Sequence, residues 1–123
     1  ELSRIVLALK AVLSKTKSLE TLIFDEVDAG IGGATSEKVG QKLKQLSKKH
    51  QVICITHLAQ IAKYAQNQFR ISKNVINGRT FTTIVPLAEE NARIEEIARM
   101  IGGAHITDAT LTHARELLEQ ASS

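Results

Sequence analysis

No stretch of this chain approaches the run of about 18 apolar residues that a membrane-crossing helix needs, and no charged-then-apolar leader with a cleavage site opens it. A cytoplasmic protein without a membrane partner is therefore expected. Tryptophan is absent, and the three phenylalanines and one tyrosine do not alternate with basic residues. Stacking on single-stranded nucleic acid thus has no support in the composition. Cys54 is the single cysteine; flanked by Ile53 and Ile55, it reads as a small apolar filler of a buried strand. His50, His105 and His113 show no ligand spacing with one another or with Cys54, so no zinc site is expected. Also missing is any G-x-x-x-x-G-K-[ST] loop, and with it the backbone cradle, lysine and hydroxyl that hold phosphates and magnesium. Gly30, Gly32 and Gly33 cannot replace it, because no lysine follows at the needed spacing.

What is present begins at Thr21. The run Leu22-Ile23-Phe24 reads as a strand buried on both faces, and it ends abruptly in Asp25 and Glu26. In open α/β sheets ligands collect beyond the carboxyl ends of such strands. An isolated strand ending in two acids is equally well a solvated turn, but the neighbouring residues weigh against that. Val27-Asp28-Ala29-Gly30-Ile31-Gly32-Gly33 is a loop whose glycines permit positive φ and close backbone approach. A second apolar strand, residues 52–56, then ends in His57. Two parallel strands finishing in Asp25-Glu26 and in Thr56-His57 would set these residues on one rim. The first acid suits a magnesium shell and the second the orientation of an attacking water, as hydrolysis of a nucleoside triphosphate requires. From the residues alone, two other readings stay open: Asp25, Glu26 and Asp28 as a carboxylate metal site for nuclease-type chemistry, or a non-catalytic association module. His57 could also simply cap the helix that follows.

The motifs ELSR at 1–4, FDEVDAGIGG at 24–33 and ITHLAQIA at 55–62, in this order and spacing, resemble the carboxyl-terminal part of the ATPase head in the SMC-like branch of the ABC ATPases, among its bacterial DNA-repair members. The resemblance covers nearly the whole chain. It implies a partial P-loop NTPase fold, with Asp25 as the Walker B aspartate holding Mg2+ and Glu26 polarising the attacking water. It implies that His57 contacts the γ-phosphate of ATP, with Thr56 beside it. Asp28 would lie in the D-loop reaching toward a second head, Gly30 would line the nucleotide in the same loop, and Ser3 would belong to the tail of the ABC signature. The Walker A half is absent, so the fragment is expected to be inactive alone. The implied partners are the amino-terminal half of the same head, a second head in a homodimer, and DNA through the whole protein, which would be nucleoid-associated.

The periodicity agrees with an α/β class: parallel core strands flanked by helices, then a β-hairpin and two carboxyl-terminal helices. Leu2, Ile5, Val6, Leu9, Val12 and Leu13 fall at helical spacing. A helix is predicted over residues 35–50 with Val39, Leu43 and Leu46 inward, and a short one over 58–65. Residues 68–73 and 79–85 read as strands around Asn77-Gly78, a strong hairpin signal. Ile94, Ile97, Ala98 and Ile101 mark a helix stopped by Gly102-Gly103, and Thr107 is read as the N-cap of the last one, with Leu111, Ala114, Leu117 and Leu118 inward. No repeat or linker appears, so residues 1–123 read as one domain. With a net charge of +3, Lys38, Lys42 and Lys49 could share one helix face, read here as its solvated side rather than a DNA contact. Without upstream strands, the sheet should leave an edge and apolar faces uncovered.

Overall fold

The computed structural model describes Ala8 and residues 21–123; the helix read over Leu2 to Leu13, and Ser3 with it, lie outside the described residues. The chain divides after Tyr64 into two compact units.

In the first unit, β1 (Thr21–Asp25) and β2 (Gln51–Ile55) pair in parallel, in a register running from Thr21 opposite Gln51 to Asp25 opposite Ile55. Parallel strands need a crossover, supplied here by helix α1 (Gly33–Leu46). Its buried stripe of Ser36, Val39, Gly40, Leu43 and Leu46 follows the helical period. Val39, Leu43 and Leu46 form a core with Phe24, Val27 and Ile61, against which Leu22, Val52 and Cys54 pack. These strand residues alternate with Ile23, Ile53 and Ile55, which remain exposed. The expectation of a strand buried on both faces is thus corrected: α1 covers one face of the pair, and Ile23 on the other is 59% exposed. The lysines Lys38, Lys42, Lys48 and Lys49 all lie on the solvated side of the α1 region.

The helix stops earlier than its sequence pattern, at Leu46. Ser47 N–H bonds the Leu43 carbonyl, Ser47 Oγ donates to Lys44 O at 2.6 Å, and turns carry the chain to His50. A serine that bonds its own preceding turn competes with continuation of the helix. Helix α2 (Ala59–Ala62) follows β2 and is shorter than expected. At its end, Lys63 Nζ lies 2.7 Å from Glu37 Oε2, and Tyr64 donates its hydroxyl to Glu37 Oε1.

The second unit opens with the antiparallel pair β3 (Phe69–Ile76) and β4 (Arg79–Pro86). Asn77 and Gly78 both have positive φ, 50° and 74°, the pattern of a type I′ turn that matches strand twist. The base of the hairpin is tied down by Arg93, whose Nη2 donates to Ala65 O at 2.7 Å and whose Nε donates to Gln68 Oε1 at 3.3 Å. Arg93 belongs to helix α3 (Glu90–Gly102), which buries Ile94, Ile97 and Ala98 and ends at Gly103 with φ 68°. Ile101, expected inward, is 39% exposed, whereas Glu96 is buried and takes a bidentate pair from Arg99. Helix α4 (Asp108–Ser122) starts as expected at Thr107, whose Oγ1 accepts from Thr110 N–H at 3.2 Å. Its buried residues are Ala114, Leu117 and Ala121. No described helix is long and apolar enough to cross a membrane.

Candidate functional site

The parallel register makes β1 and β2 end together, because Asp25 stands opposite Ile55. The next residues along each strand, Glu26 and Thr56, therefore emerge at the same carboxyl edge, with His57 one residue further. Asp25 and Glu26 are both exposed there.

Immediately after β1 the backbone is forced. Glu26 has φ 54°, a left-handed conformation that costs a residue with a Cβ about 1–2 kcal/mol. The turn continues with Ala29 N–H bonding the Glu26 carbonyl at 3.1 Å and Ile31 N–H bonding that of Asp28 at 3.2 Å. Gly30 and Gly33 then adopt positive φ, 70° and 55°. A Cβ at Gly30, Gly32 or Gly33 would meet no atom of the described residues, chain neighbours aside, within 4 Å. Gly30 and Gly33 serve the conformation of the turn.

This turn carries Val27 and Asp28 inward. Val27 is 1% exposed in the core and Asp28 is 3% exposed. Asp28 Oδ2 accepts the Thr56 hydroxyl at 2.5 Å and the His57 backbone N–H at 2.9 Å, and His57 Nδ1 lies 3.0 Å from the same oxygen. Thr56 Oγ1 in turn accepts Leu58 N–H at 3.0 Å. Burial pushes the Asp28 carboxyl up, but the Thr56 hydroxyl, the backbone N–H groups of His57 and of Asp28 itself and the His57 imidazole outweigh it. Its pKa is therefore lowered, and the group is a carboxylate at neutral pH. The His57 ring, although tied to a buried partner, is 77% exposed.

The structure thus brings Asp25, Glu26, Thr56 and His57 to one edge and sets Asp28 beneath it. Within the chain the Asp28 carboxylate faces Thr56 and His57. The sequence reading missed this contact, which spans 28 residues. The one available signal was Thr56, a hydroxyl directly before His57. Cys54 packs behind the edge as expected, and burial together with the Asp28 and Asp25 carboxylates pushes its thiol up to about 11. Ser3 lies outside the described residues.

The described elements form a P-loop NTPase-like α/β fold. A chain solved in work on ATP-driven dimerization and DNA-stimulated activation of SMC ATPases has the same fold, with a TM-score of 0.57 at 21% identity over 98% of this chain and 59% of that one. In sequence, the chain is similar along nearly its whole length to a carboxyl-terminal part of DNA repair protein RecN. It is 43% identical over 121 residues to RecN of Bacillus subtilis (strain 168), covering 98% of this chain and 21% of that protein. Against RecN of Deinococcus radiodurans the identity is 47% over 118 residues, covering 96% of this chain and 20% of the relative. RecN of Xylella fastidiosa (strain Temecula1) gives 46% over 120 residues, 98% of this chain and 21% of the relative. The chain therefore spans about a fifth of the length of these relatives. No family model matches it.

Proposed function

We propose that this chain is the carboxyl-terminal portion of an SMC-like ATPase head in a DNA repair protein, and that it supplies the hydrolytic half of an ATP site completed by the Walker A half of the same head. The observation that carries this reading is the register of β1 and β2, which delivers Asp25, Glu26 and His57 to one sheet edge. Asp25, an exposed carboxylate at a strand end, suits Mg2+, which takes oxygen ligands and is held through one or two carboxylates together with waters and phosphates. When bound, that ion supplies neutralisation of charge on the phosphates.

The chain's own residues do the rest. Glu26, fixed by the left-handed turn, orients and polarises the attacking water. His57 offers its exposed ring to the γ-phosphate side. Gly30, with no atom of the described residues beyond its chain neighbours within 4 Å of where a Cβ would be, faces a nucleotide or a second head, and Ser3 belongs to the signature tail. The fragment is inactive alone, since the cradle that gives most of the positioning is elsewhere. Two heads enclose the nucleotides, and DNA is engaged by the whole protein, which is cytoplasmic. Residues 1–123 act as one portion of that head. A nuclease-type carboxylate site is disfavoured because its third acid, Asp28, is committed to Thr56 and His57.

The test is Glu26→Gln in the full-length protein. Hydrolysis should fall by about a hundredfold or more, the scale of losing a general base, while ATP still drives head association. Rapid hydrolysis by the variant would remove Glu26 from its role.

A further inference from the structure

The contact between Asp28 and His57 determines more than the placement of a loop. A carboxylate can only accept hydrogen bonds, and a neutral imidazole donates from one nitrogen and accepts at the other. Asp28 Oδ2 lies 3.0 Å from His57 Nδ1 as an ion-pair contact, and because two lone pairs at that distance would repel, the contact favours the proton on Nδ1. The same oxygen accepts the His57 backbone N–H at 2.9 Å, so the main chain of His57 is hydrogen-bonded at the point its ring approaches. The Thr56 hydroxyl, bonded to that oxygen and to Leu58 N–H, orients the carboxylate in turn. Asp28 is 3% exposed while the ring it holds is mostly in solvent. This is the arrangement of a fixed base carrying a presented tip.

We propose that Asp28 is a positioning residue that fixes His57 in the Nδ1–H tautomer and so presents Nε2 outward as the working nitrogen. This rests on the reading above that the His57 ring serves the nucleotide. A neutral His57 held in this way offers an acceptor lone pair at Nε2, suited to a water, and becomes a donor to a phosphate oxygen only on taking up a second proton. The protonation of one histidine nitrogen is commonly set by the carboxylate held on the other.

The experiment is two-bond 1H–15N correlation NMR of the imidazoles in this 123-residue chain, recorded without nucleotide at a pH where His57 is neutral. The wild type should show His57 protonated on Nδ1, opposite to the tautomer that dominates for free histidine in water. Asp28→Ala should move the proton to Nε2, and Asp28→Asn, whose carbonyl can still accept, should retain the Nδ1–H form. A wild-type ring protonated on Nε2 overturns the proposal, and this single spectrum decides even if the alanine variant does not fold. An unchanged tautomer in Asp28→Ala overturns it as well. Because no nucleotide is used, the result is separate from whether the whole protein hydrolyses ATP.

Discussion

A Cβ built on Gly40 would lie 2.5 Å from Cδ2 of Tyr64 and 3.0 Å from the Gln60 carbonyl oxygen. The glycine is what allows α1 to approach the end of α2. The ring cannot easily withdraw, because its hydroxyl is bonded to Glu37, whose other oxygen holds Lys63. Alanine normally favours a helix interior over glycine by about 1 kcal/mol. Here overpacking, which costs about 1–3 kcal/mol, should win. Gly40→Ala is predicted to lower stability by about 1–2 kcal/mol in urea unfolding, and a more stable variant would show that the helices are free to separate.

Glu26 sits at φ 54°, so glycine there should relieve strain. Glu26→Gly is expected to leave the melting temperature unchanged or slightly raised, by up to about 1 kcal/mol of stability, while the completed head loses hydrolysis. A clear fall in melting temperature would mean that the side chain, and not the backbone, holds the turn.

The pH dependence of folding should carry a signature of Asp28. Its folded pKa is lowered, so its contribution is fully present above the unfolded carboxylate value and is lost as pH falls through the folded one. Asp28→Ala leaves the Thr56 hydroxyl and the His57 N–H without their acceptor, a loss of about 1–3 kcal/mol at neutral pH. The gap between variant and wild type should narrow on acidification. A gap that does not change with pH would mean the carboxylate charge plays no part.

Cys54 should be an unreactive thiol. With its pKa pushed up to about 11, the thiolate fraction at pH 8 is smaller than that of a free cysteine by roughly a hundredfold. Alkylation of the native chain should be slowed by at least that factor, and rapid labelling would contradict the burial of the β2 face.

Elements whose signals are local were legible from sequence. Asn77-Gly78, Thr107 and Gly103 each specify a backbone conformation within a few residues, and all three appear as read. The Asp25-Glu26 and His57 strand ends were legible because a short apolar run terminated by polar residues carries its own direction. The contact of Asp28 with Thr56 was not, since it joins residues 28 apart and depends on the register of two strands. The exposure of Ile23, Ile53 and Ile55 was also hidden. An apolar run does not reveal which face has a partner, and α1 covers only one. The early end of α1 turned on Ser47 bonding its own preceding turn, a competition that helical periodicity does not register.

The proposed role of this chain is the hydrolytic half of a composite ATP site. Its most direct test is ATP hydrolysis measured on the chain alone and again after addition of the separately produced upstream half of the head. The expected result is no turnover by the chain alone, turnover in the mixture, and loss of that turnover with Glu26→Gln. A mixture that demonstrably associates yet hydrolyses no ATP would contradict it.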